Sequence, residues 1–339
     1  MKIYHLSHTD LDGYGAQFVT AHYFKNLQFF NSNYGREIDE KFSEILNLLD
    51  DNEPSVILIT DLNLTMSQCE DFEERLKGKN AKLWLLDHHA TGAECASAYG
   101  WYFLDSSRCA TKITYDFFAK ILGANDKLAK FCDVVNAVDI WLKDEKDFEM
   151  GKVCLGLVAN AKEINKVMFE RENNEYIEFL LAQASKFFDE KNDYIGLDSA
   201  VHSIKKEFFK FDKDDTLSNL ISAYVVNLLK QNREKLAISY NEHRGILTYN
   251  IGNTSVIGND FLVANPDFDF FIDVTNKKTL SFRANGKVDV SAMARHLVGG
   301  GGHVNASGGL YANFKDGYSY AAIKEQIVEL INKKTQEDL

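Results

Sequence analysis

Along residues 1–139, short apolar runs of strand length alternate with longer amphipathic stretches. Runs at 3–7, 28–31, 55–60, 81–86 and 101–104 read as strands, and helices are predicted to start near Tyr14, Glu37, Thr65, Ala110 and Asn125. The Ser32-Asn33 and Ser106-Ser107 clusters punctuate them as turns or caps. Alternation of this kind implies right-handed βαβ units, hence a parallel sheet with helices on both faces.

The texture changes after about Asp144. Strand-like runs vanish, and 175–188, 195–210 and 217–236 read as helices with mixed charge faces. This stretch lacks the Gly/Ser or Pro content of a flexible or extended linker, so a helical connector is expected. After His243 the β signal returns at 245–249, 268–274 and 279–283, with Asn276-Lys277-Lys278 as a hairpin turn and 288–297 as a helix. The expected fold class is therefore α/β: an N-terminal parallel-sheet domain over 1–143, a helical connector over 144–239, and a smaller C-terminal α+β domain over 240–335.

Composition narrows the possible partners. A chain of 339 residues, 45% hydrophobic and 26% charged, can bury two cores. Its 38 basic and 50 acidic residues give a net charge of −12, which argues against wrapping long duplex nucleic acid or lying on anionic membranes. A short anionic ligand remains open, drawn by local positive charge or by metal ions held on carboxylates. Five scattered cysteines with no CxxC pair fit a reducing compartment. With no signal-like apolar start and no run near membrane-span length, a cytoplasmic location is expected.

The candidate chemistry lies where three apolar runs stop. Residues 81–86 lead into Asp87-His88-His89, 3–7 into His8-Thr9-Asp10-Leu11-Asp12-Gly13, and 55–60 into Asp61. In open parallel sheets ligands sit past the carboxyl ends of strands, so these segments should converge on one crevice. If the first segment stays extended, His8, Asp10 and Asp12 share one side; if it bends into a helix they still cluster. An ordinary turn with Asp12 as a helix cap explains the same residues. Asp61 ends a buried run and Asp139 sits in an apolar stretch, where an unpaired carboxylate needs a cation or several donors. A cap for the Thr65 helix is the plainer role for Asp61. Together His8, Asp10, Asp12, Asp61, His88 and Asp139 offer four carboxylates and two imidazoles. That set exceeds one tetrahedral zinc and suits two octahedral divalent cations, Mn²⁺ first, with Mg²⁺ or Co²⁺ as replacements.

These segments, in this order, resemble the four motifs of the DHH phosphoesterase family. The run Gly299-Gly300-Gly301-Gly302-His303-Val304-Asn305, following Ser281-Phe282-Arg283, resembles the nucleic-acid-binding module often found C-terminal to it. The resemblance implies that His8 and Asp10 hold one metal, that Asp12, His88 and Asp139 hold the other, and that Asp61 bridges them. It also implies that Asp87 orients a ligating histidine and that His89 meets the scissile phosphate. The spacing of His8, Asp10 and Asp12 is similar to the nuclease branches of the family, which makes inorganic pyrophosphatase activity less fitting.

In the C-terminal module, consecutive glycines let backbone N–H groups approach a phosphate, with Arg283 and His303 as further donors. Gly300, Gly301, Gly302, His303, Arg283 and Asn305 are accordingly the candidate substrate-binding residues. Ser107, Arg108 and Thr111 are either substrate contacts or a plain helix start.

The activity implied is attack of water on phosphorus without a protein nucleophile. The expected substrate is a short single-stranded oligoribonucleotide of ~2–5 residues, a nanoRNA or linear dinucleotide, held in a slot between the domains and cut to mononucleotides. Activity on 3′-phosphoadenosine 5′-phosphate or on cyclic (di)nucleotides fits the same residues, and a nucleotide-binding protein without turnover is the reading from another class. The connector helices offer a homodimer contact.

Overall fold

The structure is a computed structural model that describes residues 1–188, 193–211 and 213–337. Two compact units divide the chain, the first comprising Met1–Ala161 and Asn174–Ile204, the second Lys162–Asn173 and the chain from Lys205 onward.

The first unit contains β1 (Lys2–Ser7), α1 (Leu11–Tyr23), β2 (Leu27–Asn31), α2 (Arg36–Asn47), β3 (Ser55–Thr60), α3 (Met66–Leu76), β4 (Ala81–Asp87), α4 (Ala93–Ala98) and β5 (Tyr102–Leu104). It continues with α5 (Ala110–Leu122), α6 (Asp126–Asp139), α7 (Phe148–Ala159) and most of α8 (Glu170–Ala184) and α9 (Asp193–Phe209). All five expected strands form, and every pairing is parallel in the order β2-β1-β3-β4-β5. Every residue of β3 is buried, as a central parallel strand covered on both faces requires. On α2, Ile38, Phe42 and Ile45 recur at helical spacing and face the core, where Phe42 stacks on Phe72 of α3 at 3.6 Å.

Strand order decides where a ligand can sit. The chain leaves β1 toward β2 on one side and reaches β3 on the other, so a switch point opens at the carboxyl ends of β1 and β3. His8 to Asp12 and Asp61 follow those two strands directly.

The second unit contains α10 (Leu217–Gln231), α11 (Arg233–Leu236), β6 (Ala237–Tyr240), β7 (His243–Tyr249), α12 (Thr254–Ala264), β8 (Phe270–Val274) and β9 (Thr279–Ala284). After these come α13 (Val290–Val298), β10 (Gly301–His303), β11 (Ala306–Leu310) and α14 (Tyr320–Glu337). Its sheet runs β10-β11-β9-β8-β7-β6, with only β7 and β8 parallel. Leu247, Phe270, Ile272 and Phe282 pack with Leu297 of α13 and Ile327 of α14 in one core.

Two features differ from expectation. The helices of 144–239 do not stand apart as a connector: α7 and most of α8 and α9 belong to the first unit, α10 and α11 to the second. In the first unit α7 packs on α1 and α6, and in the second α10 packs on α12. The glycine run, expected to offer its backbone to a phosphate, is in part a strand. Gly301 and Gly302 pair with Gly308 and Ser307 in an antiparallel hairpin. A Cβ on Gly300 would lie 2.2 Å from the Gly308 carbonyl oxygen, and one on Gly302 2.6 Å from that of Ala306, so these glycines allow two backbones to approach closely.

Asp273 of β8 is 1% exposed, and its Oδ1 accepts from the Thr248 hydroxyl at 2.8 Å and the Ile251 N–H at 3.1 Å. Burial outweighs these donors and pushes its pKa up to about 6. Between the ordinary value of 3.8 and about 6 the native state keeps a proton that the unfolded chain has released, so stability falls as pH rises through that window. The cost above it is about 3 kcal/mol. Asp273→Asn keeps the acceptor without the charge: it should raise the urea midpoint at neutral pH and flatten its decline over the acid window. An unchanged slope would show that another group titrates.

Candidate metal centre

The site begins with a helix cap. Asp10 is the N-cap of α1, its Oδ1 accepting from the Gly13 N–H at 3.0 Å, so the helix starts at Leu11 and not near Tyr14. His8, Asp10 and Asp12 are thus gathered by the first helical turn, not by an extended strand, and the capping residue is Asp10 and not Asp12. Close approach fixes the glycines that follow: a Cβ on Gly13 would lie 2.3 Å from the His8 carbonyl oxygen, and one on Gly15 2.4 Å from Thr111 Oγ1.

Asp12 is buried at the start of α5. Its two oxygens accept from the N–H groups of Ala110 and Thr111, both at 2.7 Å, while the Thr111 hydroxyl donates to the Asp12 carbonyl at 2.7 Å. The carboxylate thus meets the backbone donors of a helix N-terminus. Asp61 follows β3 in the left-handed region, at φ 56°, which turns the chain off the sheet. Asp139 is the last residue of α6, and Trp141 just beyond it has φ 58°. A left-handed Trp is costly, and such backbone tends to persist where function holds it.

Asp61 lies between two groups of donors. On one side, His8 Nδ1 is 2.8 Å from Asp10 Oδ2 and 3.7 Å from Asp61 Oδ2. On the other, His88 Nε2 is 3.3 Å from Asp61 Oδ1 and 3.6 Å from both Asp12 Oδ2 and Asp139 Oδ2. Ligand atoms of His8, Asp10 and Asp61 lie within 4.8 Å of one another, as do those of Asp61, His88 and His89 and those of Asp12, Cys109 and Asp139.

The electrostatics ask for a cation. Burial and the charge of Asp12 push the Asp61 carboxyl well above its usual range, and the same two causes raise Asp139 to about 8. Burial opposes a charged His8 ring, but its hydrogen bond to Asp10 and the nearby Asp61 carboxylate prevail and raise it to about 10. Asp10, against its own burial, is drawn down to about 2 by the same ring. Asp61 Oδ2 is buried and makes no hydrogen bond. A buried, unsatisfied carboxylate oxygen among three other carboxylates and two imidazoles fits hard-to-borderline divalent cations such as Mn²⁺ or Mg²⁺.

Asp87 has another partner than expected. Its Oδ1 pairs with Nδ1 of His89 at 2.7 Å, its Oδ2 accepts from Tyr102 at 2.9 Å, and His88 is not in contact with it. The Asp87 carboxylate raises the His89 pKa against the effect of burial. The outer nitrogen of His89, Nε2, is hydrogen-bonded with the Tyr34 hydroxyl at 2.9 Å, and the Tyr34 ring packs 4.9 Å from that of His8.

Tyr34, Tyr102 and Cys109 escaped sequence reasoning because nothing in their local pattern marks them. Cys109 is fully buried, and burial pushes its thiol well above the usual range, so it stays protonated and is a poor ligand. Ser107 and Arg108 bond to Asp105, Arg108 also to Asp116, and Thr111 alone of these three reaches the site. The remaining candidates belong to the second unit. Arg283 donates to the Phe282 carbonyl and the Ser255 hydroxyl, both at 2.7 Å, and Asn305 Oδ1 accepts from the Gly286 N–H at 2.8 Å. Gly301, Gly302 and His303 form the exposed β10.

A five-stranded parallel sheet of this kind, accompanied by a second, mixed sheet, fits the DHH phosphoesterase fold. No protein-family model matches the chain. It is 41% identical over 345 residues to a 3′,5′-cyclic-nucleotide phosphodiesterase of Helicobacter pylori (strain ATCC 700392 / 26695), covering 98% of this chain and 99% of that one. The crystal structure of an uncharacterized protein from Helicobacter pylori G27 superposes with a TM-score of 0.87 at 39% identity, over 98% of this chain and 99% of that chain. The chain belongs to the family of that phosphodiesterase.

If the donors hold cations, Mn²⁺ at about 100 times its Kd should raise the melting temperature by about 5 °C or more. The rise should shrink as pH falls below about 8, where Asp139 takes up a proton that competes with metal. Asp61→Asn should lose the rise and melt no earlier than wild type without metal, because a carboxyl that burial and Asp12 disfavour in its charged form gives way to a neutral amide. A full Mn²⁺ response in that variant, read by thermal-shift fluorimetry, would rule out Asp61 as a shared ligand.

Proposed function

We propose that this chain is a divalent-cation-dependent phosphodiesterase that hydrolyses short oligoribonucleotides and linear dinucleotides to mononucleotides. The observation that carries the reading is Asp61, a buried carboxylate with one oxygen beside His8, which also pairs with Asp10, and the other beside His88, which also faces Asp12 and Asp139. His8 and Asp10 would hold one cation, Asp12, His88 and Asp139 a second, and Asp61 would contribute to both. When bound, such cations supply Lewis-acid charge to phosphoryl oxygens and lower the pKa of water.

The protein's own part follows from its hydrogen bonds. Asp87, fully buried and braced by Tyr102, keeps a proton on His89 Nδ1 and aims Nε2 away from the sheet. Once Nε2 also carries a proton, it can donate to a phosphate oxygen and offset the charge that develops during displacement. The Ala110 and Thr111 N–H groups at the α5 N-terminus hold the Asp12 carboxylate in place, so this residue would need no rearrangement.

A second reading, hydrolysis of 3′,5′-cyclic nucleotides, is favoured by the 41% identity to a relative of that name. An assay with Mn²⁺ on labelled dinucleotides, pentamers, long oligonucleotides, the adenosine bisphosphate and cyclic nucleotides separates the two. Rapid cleavage of the short linear substrates is expected. Turnover of the cyclic nucleotides alone would transfer the assignment to them, and inertness toward all would end both. Asp87→Asn should lower kcat about 10–100-fold through misorientation of His89. It should leave the Mn²⁺-induced melting shift in place; loss of that shift would make Asp87 part of metal binding instead.

A further inference from the structure

A polar cavity of about 690 Å³ lies between α2 and α3, and it shares Tyr34 with the candidate metal centre. Tyr34 is 44% exposed, with its hydroxyl on His89 and its ring beside His8, so one side chain borders both sites. Arg36, Asn63, Ser67 and Gln68 line the cavity along with Asp39 and Asp71. Asn63 lies two residues past Asp61 in the loop after β3, and Arg36 follows the loop after β2, so both sit at the carboxyl end of the sheet.

The state of these side chains points to a ligand. The carboxylates are already engaged: Asp39 accepts from Gln68 at 2.8 Å and Asp71 from Arg75 at 3.1 Å. Among the described residues, Arg36, Asn63 and Ser67 have no hydrogen-bond or ion-pair partner. The groups left free are a guanidinium, an amide and a hydroxyl, a set dominated by donors. In addition, Gly35, the N-cap of α2, has no side chain to accept from the first-turn amides, and the Ile38 N–H bonds to its carbonyl at 3.1 Å. In a protein of net charge −12, an unpaired arginine next to uncapped amides is a local site for an anion.

We propose that this cavity is the subsite for the nucleotide adjoining the scissile phosphate of a linear substrate, whose base stacks on Tyr34 and whose second phosphate meets Arg36. Aromatic rings hold bases without regard to sequence, and arginine matches phosphate in geometry and charge. A 3′,5′-cyclic mononucleotide has one phosphate and no group to place here. The cavity therefore selects linear substrates carrying a second phosphate. This assignment rests on the phosphodiesterase reading, which it extends from reaction to substrate choice.

Calorimetric titration with Mn²⁺ tests it, using a dinucleotide with a phosphorothioate at the cleavable position in 5′-phosphorylated, 3′-phosphorylated and unphosphorylated forms. Wild type should bind one phosphorylated form about tenfold or more tighter than the unphosphorylated one. That preference should collapse in Arg36→Gln, survive in part in Arg36→Lys, and persist in Tyr34→Leu while all three forms weaken. Absence of preference in wild type, or its survival in Arg36→Gln, would overturn the assignment. Hydrolysis of the unmodified dinucleotides is scored separately: binding with the expected preference and no turnover would sink the phosphodiesterase reading and leave the subsite standing.

Discussion

Repulsion among carboxylates held at the ends of parallel strands is the constraint on which the first unit depends. Asp12 and Asp61 are buried, Asp139 reaches the same imidazole, and Asp10 is one ring away. Burial and mutual charge hold protons on Asp61 and Asp139, while His8 offsets Asp10 alone. Replacing those protons with cations would relieve both desolvation and repulsion, because a dication interacts with several carboxylates at once.

Helix ends sharpen the arrangement in opposite senses. Asp12 is stabilised by the N-terminus of α5, whereas Asp139 ends α6, where the helix dipole is already negative. One carboxylate is met by backbone donors and the other is left in need of a counter-charge. The left-handed backbone at Asp61 and Trp141 turns the chain beside these ligands. That strain is tolerable because the flanking β3 and α6 are well buried.

The adjacent histidines divide the work. His88 faces Asp12, Asp61 and Asp139, whereas His89 is tied through Asp87 to Tyr102 and opens toward Tyr34. The two rings lie 4.4 Å apart just past the end of β4, so neighbouring imidazoles meet different partners within one cluster. Family membership and the 0.87 TM-score place this division on a scaffold present in the Helicobacter pylori relatives along their whole length.

The sequence by itself determined the five parallel strands, the positions at which they stop, and the acidic and imidazole residues that follow, since burial on both faces imposes unbroken apolar runs and polar chemistry can begin only where they end. It could not determine that Asp87 serves His89 and not His88, that Tyr34 closes the site, or that Arg283 is committed to Ser255. Nor did it reveal that the glycine run is a strand, because glycine has little β preference and β10 exists through its pairing with β11. Several of these arrangements involve partners distant in sequence: 15 residues separate Asp87 from the Tyr102 that braces it, 55 separate Tyr34 from His89, and 28 separate Arg283 from Ser255. Periodicity records which face of a segment is buried, whereas the identity of the atom on the far side of a hydrogen bond is fixed only when the sheet and its helices close.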